Sequence, residues 1–428
     1  MRKLNIAIIG LGNIGSYLYK YLNDNKKILT EKNNCSPVVK YVSARNKKRK
    51  RNIKIKKNQW LKNYLAATTI KEVDLIVELI GGAEGPAKKL VFTALKNKKH
   101  VVTANKALIA KYGDQLSKIA EKNKVNLEFE ASVCGGVPII RTLKESLIAN
   151  KISKIYGIFN GTSNYILSTM DKQKKNFKDV LDNAKKLGYA ESNPSSDLNG
   201  DDVSSKLKIL SSLCFNSFLN NNIYVEGIKE IERTDIDNAN RLGYKIKLLG
   251  FAEQINNKIY QRVHPTLIEK DSYVASIDGV LNAVIIDGKP VGHSTIQGEG
   301  AGPAATTSAL VSDISSILRG NIKFPFSLSS RERKNLRFEN ISERFFSAYL
   351  RFEVIDKSGI LSNITNIFSK NKVSIKRLVQ TPDKSKKSSS IIIITHKAKD
   401  KFLKKTLMEV AKKKYIKGKP KLIRIDDN

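Results

Sequence analysis

Asp202 and Lys206 stand four apart where a helical pattern begins after the polar stretch 188–200, so they share one helix face. A carboxylate beside a lysine positions the ammonium and sets its protonation state. A cationic lysine at a carbonyl oxygen can donate the proton that accompanies hydride delivery. Glu191, in the preceding loop, is placed to converge on the same spot. The plainer reading is an acidic first turn with an i,i+4 ion pair, worth about 0.3–0.5 kcal/mol. Residue types alone leave both open. Asp197, Asn199 and Asp201 also match the first three ligand positions of a calcium loop. That reading fails, because Asp202 stands where the loop needs Gly and Lys208 where it needs its closing Glu.

A second motif points to a nucleotide. Gly10-Leu11-Gly12-Asn13-Ile14-Gly15 follows the apolar run Leu4–Ile9 and opens a helical pattern. In a dinucleotide fingerprint the first glycine permits a tight turn and the second lets backbone approach the pyrophosphate. The third lets the helix pack on the strand, with the helix N-terminus facing the phosphates. The alternative is a purely structural glycine turn. The second strand ends Ser43-Ala44-Arg45-Asn46-Lys47, with no acid for a ribose 2′-hydroxyl. Arg45 is the residue expected to pair with a 2′-phosphate, which favours NADP over NAD; a solvated basic loop is the alternative. Lys106, in Ala104-Asn105-Lys106, follows a short strand and so falls at the mouth where doubly wound sheets bind ligands, or is simply an exposed lysine. Cys134 beside Gly135-Gly136 has none of the four histidines (His100, His264, His293, His396) near it in sequence. It reads as a small buried residue, not an activated thiol.

The elements that carry these residues follow from periodicity. Leu4–Ile9, Val38–Val42, Asp74–Leu79, His100–Thr103 and Leu127–Ala131 are strand-like runs separated by helical stretches, which predicts an α/β, Rossmann-type doubly wound sheet. After Pro138 the pattern becomes α+β. Strands are expected at Ile152–Phe159, Tyr260–Val263, Val274–Ile277 and Asn282–Ile286, with a helix from Asp202. Gly298 to Pro303 leads into a helix over 303–320 that is expected to return to the first domain. Residues 321–345 read as a linker. From Phe346 the order strand, helix, strand, strand, helix, strand is the ferredoxin-like βαββαβ module. The expected organisation is a nucleotide-binding domain over 1–137, a substrate-binding and oligomerisation domain with a mixed sheet over 138–302, and a C-terminal module over 346–428.

Composition excludes other classes. At 428 residues, 41 % hydrophobic and 27 % charged, the chain is a globular protein of several domains and not a disordered or collagen-like one. The longest apolar runs, such as Ile391–Ile394, are strand-sized, so no membrane span is expected, and the start lacks the apolar core of a signal peptide. Cys35, Cys134 and Cys214 are too few and too far apart for a disulfide framework or a CxxC site, so a cytoplasmic protein is expected. Lys and Arg number 77 against 40 acids, a net charge of +37. The lysines are scattered, among abundant Asn and Ile, as AT-rich codon usage would produce. The two basic clusters, Lys47–Lys57 and Lys397–Lys421, lack the interleaved aromatics of a single-strand platform, so no nucleic-acid partner is expected.

Taken together the motifs resemble those of homoserine dehydrogenases that carry a C-terminal ACT domain. The matching segments are Gly10–Gly15, Val77–Gly82, His100–Ala110, Phe129–Ile140, Phe159–Leu167, Leu187–Lys206, Arg262–Ile268 and Gly300–Asp313. The resemblance implies reversible reduction of L-aspartate 4-semialdehyde to L-homoserine with NADPH or NADH, on the route to threonine and methionine. It implies that Lys206 is the proton donor, with Lys106 a second lysine at nicotinamide and substrate. Glu191 would hold the substrate's amino group and Asp202 would orient substrate and lysine. Gly10, Gly12, Asn13, Ile14, Gly15, Arg45, Lys106 and Gly302 would line the cofactor. Glu130, with backbone carbonyls of Val133, Gly135 and Val137, would hold a monovalent cation, sodium by its all-oxygen donor set. The resemblance also implies a homodimer or homotetramer, with L-threonine as effector of the ACT domain. The chain departs from the pattern at Cys134, Asp201, Ser205 and Ser358, the last in the ACT turn where proline is usual.

Overall fold

The computed structural model describes residues 2–219, 222–383 and 388–426. The first sheet contains β1 (Arg2–Ile9), β2 (Cys35–Ser43), β3 (Leu75–Glu78), β4 (His100–Thr103) and β5 (Leu127–Glu128). All pair in parallel, in the order β2-β1-β3-β4-β5. Strand order reverses between β1 and β3, so the crevice beyond their C-terminal ends is where such a sheet takes a ligand. Apolar runs such as Ile6–Ile9, Leu75–Val77 and Val101–Val102 form the strand centres because helices cover both faces. On one face Ile6, Ile8, Leu75 and Val77 pack with Leu18, Leu310, Ile314 and Ile317. The last three belong to the helix Pro303–Leu318, which lies beside the helix Asn13–Asp24 although 290 residues of numbering separate their starts.

The second sheet comprises β6 (Lys151–Ile158), β7 (Tyr224–Val225), β8 (Tyr244–Ile255), β9 (Lys258–Glu269), β10 (Leu281–Lys289), β11 (Gly292–Glu299), β12 (Arg337–Phe338), β13 (Phe345–Ile355), β14 (Ile375–Asp383), β15 (Ser388–Thr395), β16 (Ala398–Lys399) and β17 (Ile416–Ile425). Its main path runs β11-β10-β6-β8-β9-β17-β13-β15-β14. The C-terminal strands alone give the ferredoxin-like order, with helices Ile360–Lys370 and Asp400–Ala411 on one face. The strand ladder between the module and the rest consists of two parallel pairs, Arg424 with Thr266 and Ile425 with Leu267. The module therefore extends the sheet that β6 and β8–β11 begin.

Three expectations are corrected. Val274–Ile277, read as a strand, lies in the short helix Tyr273–Ser276; Ser272 caps it by accepting the Ala275 N–H. Its β-branched residues suit either state over so short a run. β8 and β11 were not expected; polar residues interrupt both patterns. The 321–345 linker is a strap pinned at separate points. Phe326 is fully buried with its ring 5.2 Å from that of Phe129, and Arg333 meets Asp114 at 2.7 Å. Single anchors leave no period to read. Among the described residues no helix is long and apolar enough to cross a membrane.

Candidate active site

The glycine turn divides its labour as a nucleotide site requires. Gly10 has φ +111°, and a Cβ there would stand 2.4 Å from the Leu79 carbonyl oxygen. A Cβ on Gly15 would lie 2.0 Å from the Gly10 oxygen, so only glycine lets the helix approach the strand. Gly12 faces open space, and the helix Asn13–Asp24 starts with no side-chain cap. Asn13 and Ile14 are its first two residues. Gly302 is also open, at φ +111°, and begins the helix Pro303–Leu318, likewise uncapped. Unsatisfied helix-start amides suit an anion. Both starts border a cavity of about 380 Å³ lined by Gly12, Asn13, Lys20, Arg49, Lys50 and Pro303, among others. The shape and charge fit a dinucleotide's phosphates.

Arg45, chosen from the sequence, is exposed just past β2 and does not line this cavity. The basic loop behind it does. Arg51 donates to the carbonyls of Leu11, Arg49 and Asn46 at 2.9, 2.8 and 2.8 Å, and its guanidinium lies 5.7 Å from the Trp60 ring centroid. This pins the loop against the glycine turn and leaves Arg49 and Lys50 at the cavity wall. Arg49 comes within 3.5 Å of the Asn13 side-chain oxygen.

The lysines converge on one carboxylate. Lys206 Nζ lies 2.8 Å from Asp202 Oδ2, and Lys106 Nζ lies 2.5 Å from Oδ1. Lys206 also donates to the Phe159 carbonyl at 2.6 Å. Asp202 is 2 % exposed. Burial alone would raise its pKa, but the two ammoniums hold it well below the carboxylate range. Burial would lower Lys206, yet Asp202 outweighs it and the lysine stays above its usual value. Lys206 is thus a buried ammonium with one face fixed.

Residues the sequence reading did not assign hold this bridge. Asn160 caps the helix Gly161–Gln173 through its oxygen, which accepts the Ser163 N–H at 2.7 Å. Its Nδ2 donates to Asp202 Oδ2 and to Asp197 Oδ1, each at 2.8 Å. Burial pushes Asp197 up. The signal was an asparagine between a strand and a helix, an N-cap position. Glu78 is fully buried at the end of β3 and accepts from the amides of Ile80 and Gly81 and from the Thr103 hydroxyl at 2.7, 3.0 and 2.6 Å. Thr103 Oγ1 accepts the Asn105 N–H at 3.0 Å, and Asn105 caps the helix that Lys106 begins. Lys106 is thereby fixed from the sheet.

Other candidates fall outside this network. Glu191 is exposed in its loop, with no ion pair to the two lysines among the described residues. Cys134 is buried at φ +56°, and burial pushes its thiol up to about 11, so it is no nucleophile near neutral pH. Glu130 is 2 % exposed, and its carboxylate accepts from the amides of Ile140 and Arg141 at 2.9 and 2.6 Å. Burial still pushes it up to about 7. Val133, Gly135 and Val137 follow in the turn that crosses to the second sheet, where a Gly135 Cβ would lie 2.5 Å from the Gly300 oxygen. Among the described residues no group of three His, Cys, Asp or Glu could hold a metal ion.

Comparison with known proteins follows the same divisions. The family described as homoserine dehydrogenase matches residues 138–315, and its NAD-binding domain matches residues 10–130. The ACT domain matches residues 348–413. A homoserine dehydrogenase of Neisseria gonorrhoeae is 37 % identical over 96 % of this chain and 95 % of its own. The chain belongs to the homoserine dehydrogenase family. One from Helicobacter pylori is 36 % identical over 100 % of both chains. The crystal structure of a homoserine dehydrogenase from Thiobacillus denitrificans superposes with a TM-score of 0.92 at 35 % identity, covering 100 % of this chain and 99 % of that one. The fold is the one expected: a parallel Rossmann-type sheet, a mixed sheet and an ACT domain. The chain is an oxidoreductase of CH–OH groups that uses a nicotinamide cofactor.

Proposed function

We propose that this chain reduces L-aspartate 4-semialdehyde reversibly to L-homoserine, preferring NADP(H), and that the Lys106–Asp202–Lys206 bridge is its catalytic centre. The bridge itself carries the reading: one buried carboxylate holds two ammoniums. The bound nicotinamide supplies the hydride, or accepts it in reverse. Lys206 gives its proton to the carbonyl oxygen as the carbonyl carbon gains that hydride. A positioned acid of this kind contributes roughly 10²–10⁴-fold. Asp202 keeps Lys206 charged until then, and Asn160 and the Phe159 carbonyl fix its direction. Lys106, 41 % exposed at its side chain, holds the other carboxylate oxygen and is assigned to the nicotinamide side of the substrate. Glu191, exposed in its loop, is assigned to the substrate's ammonium.

NADP preference rests on the basic loop 46–52, with Arg49 and Lys50 as the 2′-phosphate contacts and Arg45 secondary. A monovalent cation fits at Glu130 with the carbonyls of Val133, Gly135 and Val137. The donors are all oxygens, and a desolvated carboxylate gains most from a hard cation. Its role would be to stiffen the turn between the two sheets. The product's place on the threonine and methionine route, and L-threonine acting through the ACT domain, belong to the same reading. Initial rates with L-homoserine and NADP or NAD test it. Turnover favouring NADP, lost in Lys206→Met, is expected; a folded chain idle with both cofactors overturns it.

A further inference from the structure

Arg333 lies in the strap that leads from the helix Pro303–Leu318 to the C-terminal module. Its side chain is fully buried. Nη2 ion-pairs with Asp114 Oδ1 at 2.7 Å and donates to Ser212 Oγ at 2.8 Å and to the Ser217 carbonyl at 2.7 Å. Nε donates to the same carbonyl at 3.1 Å. The Phe218 and Phe326 ring centroids lie 4.9 and 4.3 Å from the guanidinium. Asp114 Oδ2 in turn accepts the Leu219 N–H at 3.1 Å. A lysine could not make these contacts together, because they need a planar fork of fixed donors.

The two helices that Arg333 joins are those that carry the bridge of Lys106, Asp202 and Lys206. Asp114 stands in the helix Lys106–Asn123, about 12 Å beyond Lys106 at the helical rise. Ser212 stands in the helix Asp201–Cys214, about 15 Å beyond Asp202. The helices therefore run side by side in one direction, held at their starts by Lys106 on Asp202 and farther along by Arg333. The rest of their contact belongs to the shared apolar core, which opposes separation but has no direction and so sets no register. Gly113 marks the seat of the strap. Glycine is disfavoured in mid-helix, yet a Cβ there would lie 2.9 Å from the Phe326 ring and 3.0 Å from Leu219 Cδ1.

We propose that Arg333 is a positioning residue for the dehydrogenase reaction: it fixes the helix that carries Lys106 in register with the helix that carries Asp202 and Lys206. The proposal deepens the reading of that bridge as the catalytic centre and rests on it. Asp202 and Lys206 share one helix, so their contact survives a slide of the two helices. The contact of Lys106 with Asp202 does not. Loss of the clamp should therefore reproduce the loss of Lys106, not that of Lys206.

Steady-state homoserine oxidation by the full chain, by Arg333→Met, by Lys106→Met and by the double variant tests this. Arg333→Met is expected to lower kcat/KM for homoserine by about 10–100-fold, since a misplacement of about 1 Å from a distant change costs up to that much. In the Lys106→Met background the same change is expected to cost less than about two-fold, because the contact it protects is already gone. A purely structural role predicts the same loss in both backgrounds. Asp114→Asn keeps an acceptor for the Leu219 N–H and carries the same cycle if Arg333→Met does not fold; a smaller loss with the same dependence on Lys106 is expected. Wild-type kcat/KM in the folded variants, or an equal loss with and without Lys106, overturns the clamp. A folded wild type that does not turn over homoserine, or Lys106→Met as active as wild type, strikes the assignment of the bridge instead. Amide exchange then reads the clamp alone. Arg333→Met, or Asp114→Asn in its place, should speed exchange across residues 106–112, outside the contacts of Arg333, and unchanged exchange there overturns the clamp.

Discussion

Lys106 Nζ and Asp202 Oδ1 meet at 2.5 Å although Lys106 starts a helix of the nucleotide-binding sheet and Asp202 lies in the first turn of the helix Asp201–Cys214, which packs on the second sheet. The proposed catalytic centre is thus assembled across the seam between two architectures. Neither sheet alone carries both ammoniums. The relative placement of the sheets is fixed by the crossing at 130–138 and by the returning helix Pro303–Leu318. Changes at those points should therefore appear in turnover before they appear in cofactor binding.

Lys206→Met should cut kcat by roughly 10²–10⁴-fold while KM for NADP stays within about two-fold, because the lysine acts on the carbonyl oxygen and not on the cofactor's phosphates. Lys106→Met should raise KM and lower kcat together, since it removes one of the three groups that hold Asp202. Steady-state kinetics on both variants separates the roles. A larger kcat loss in Lys106→Met than in Lys206→Met would reverse the assignment.

Asp202→Asn should shift a pH profile in a set direction. In the proposed reaction, reduction of the semialdehyde needs Lys206 protonated, so the rate falls as pH rises through the lysine's pKa. Asp202 holds that pKa up. Its replacement should therefore move the fall to lower pH. The variant also leaves Lys206 buried with one charge partner gone, which costs about 3–5 kcal/mol. In wild type the depressed Asp202 pKa contributes stability at pH above about 3.9, lost as pH falls below it. Rate profiles and thermal melts on the same samples check both statements. An unmoved profile would remove Asp202 from the control of Lys206.

The cofactor site shows what the sequence could and could not reveal. Gly10, Gly12 and Gly15 were legible because each glycine answers a different steric demand at a fixed spacing. The choice of Arg45 was not secure, because the loop after β2 folds back on the glycine turn through Arg51 and Trp60, contacts with no local signature. Asp202 and Lys206 were legible as one helix face. Asn160, 42 residues away, joins them only in three dimensions. The strap at Phe326 and Arg333 was invisible for the same reason: isolated anchors make no period.

Arg49→Ala or Lys50→Ala should raise KM for NADP by about ten-fold or more while leaving KM for NAD within about two-fold, since a phosphate contact to a charged group is worth about 1.5–3 kcal/mol. Arg45→Ala should change either constant less, because Arg45 stands clear of the cavity. Arg51→Ala should weaken both cofactors, as it frees the loop from the Leu11 carbonyl. Cofactor titrations at fixed homoserine decide the matter. A selective NADP defect confined to Arg45→Ala would restore the reading made from sequence.

Glu130 gives a pH dependence of the opposite sign to Asp202. Burial raises its folded pKa to about 7, whereas the unfolded chain releases the proton near about 4.3. Between those values the folded state binds the extra proton, so stability falls as pH rises through the window and stays low above it. A bound monovalent cation would reverse this, because it favours the ionised carboxylate and itself stabilises the folded state by mass action. Sodium chloride should therefore raise Tm at pH 8 more than at pH 5, beyond the effect of an equal ionic strength of tetramethylammonium chloride. Glu130→Gln should abolish that difference and flatten the melt between pH 4 and 7. An equal response to sodium and tetramethylammonium at pH 8 would show that the buried carboxylate serves the turn through its two backbone amides alone.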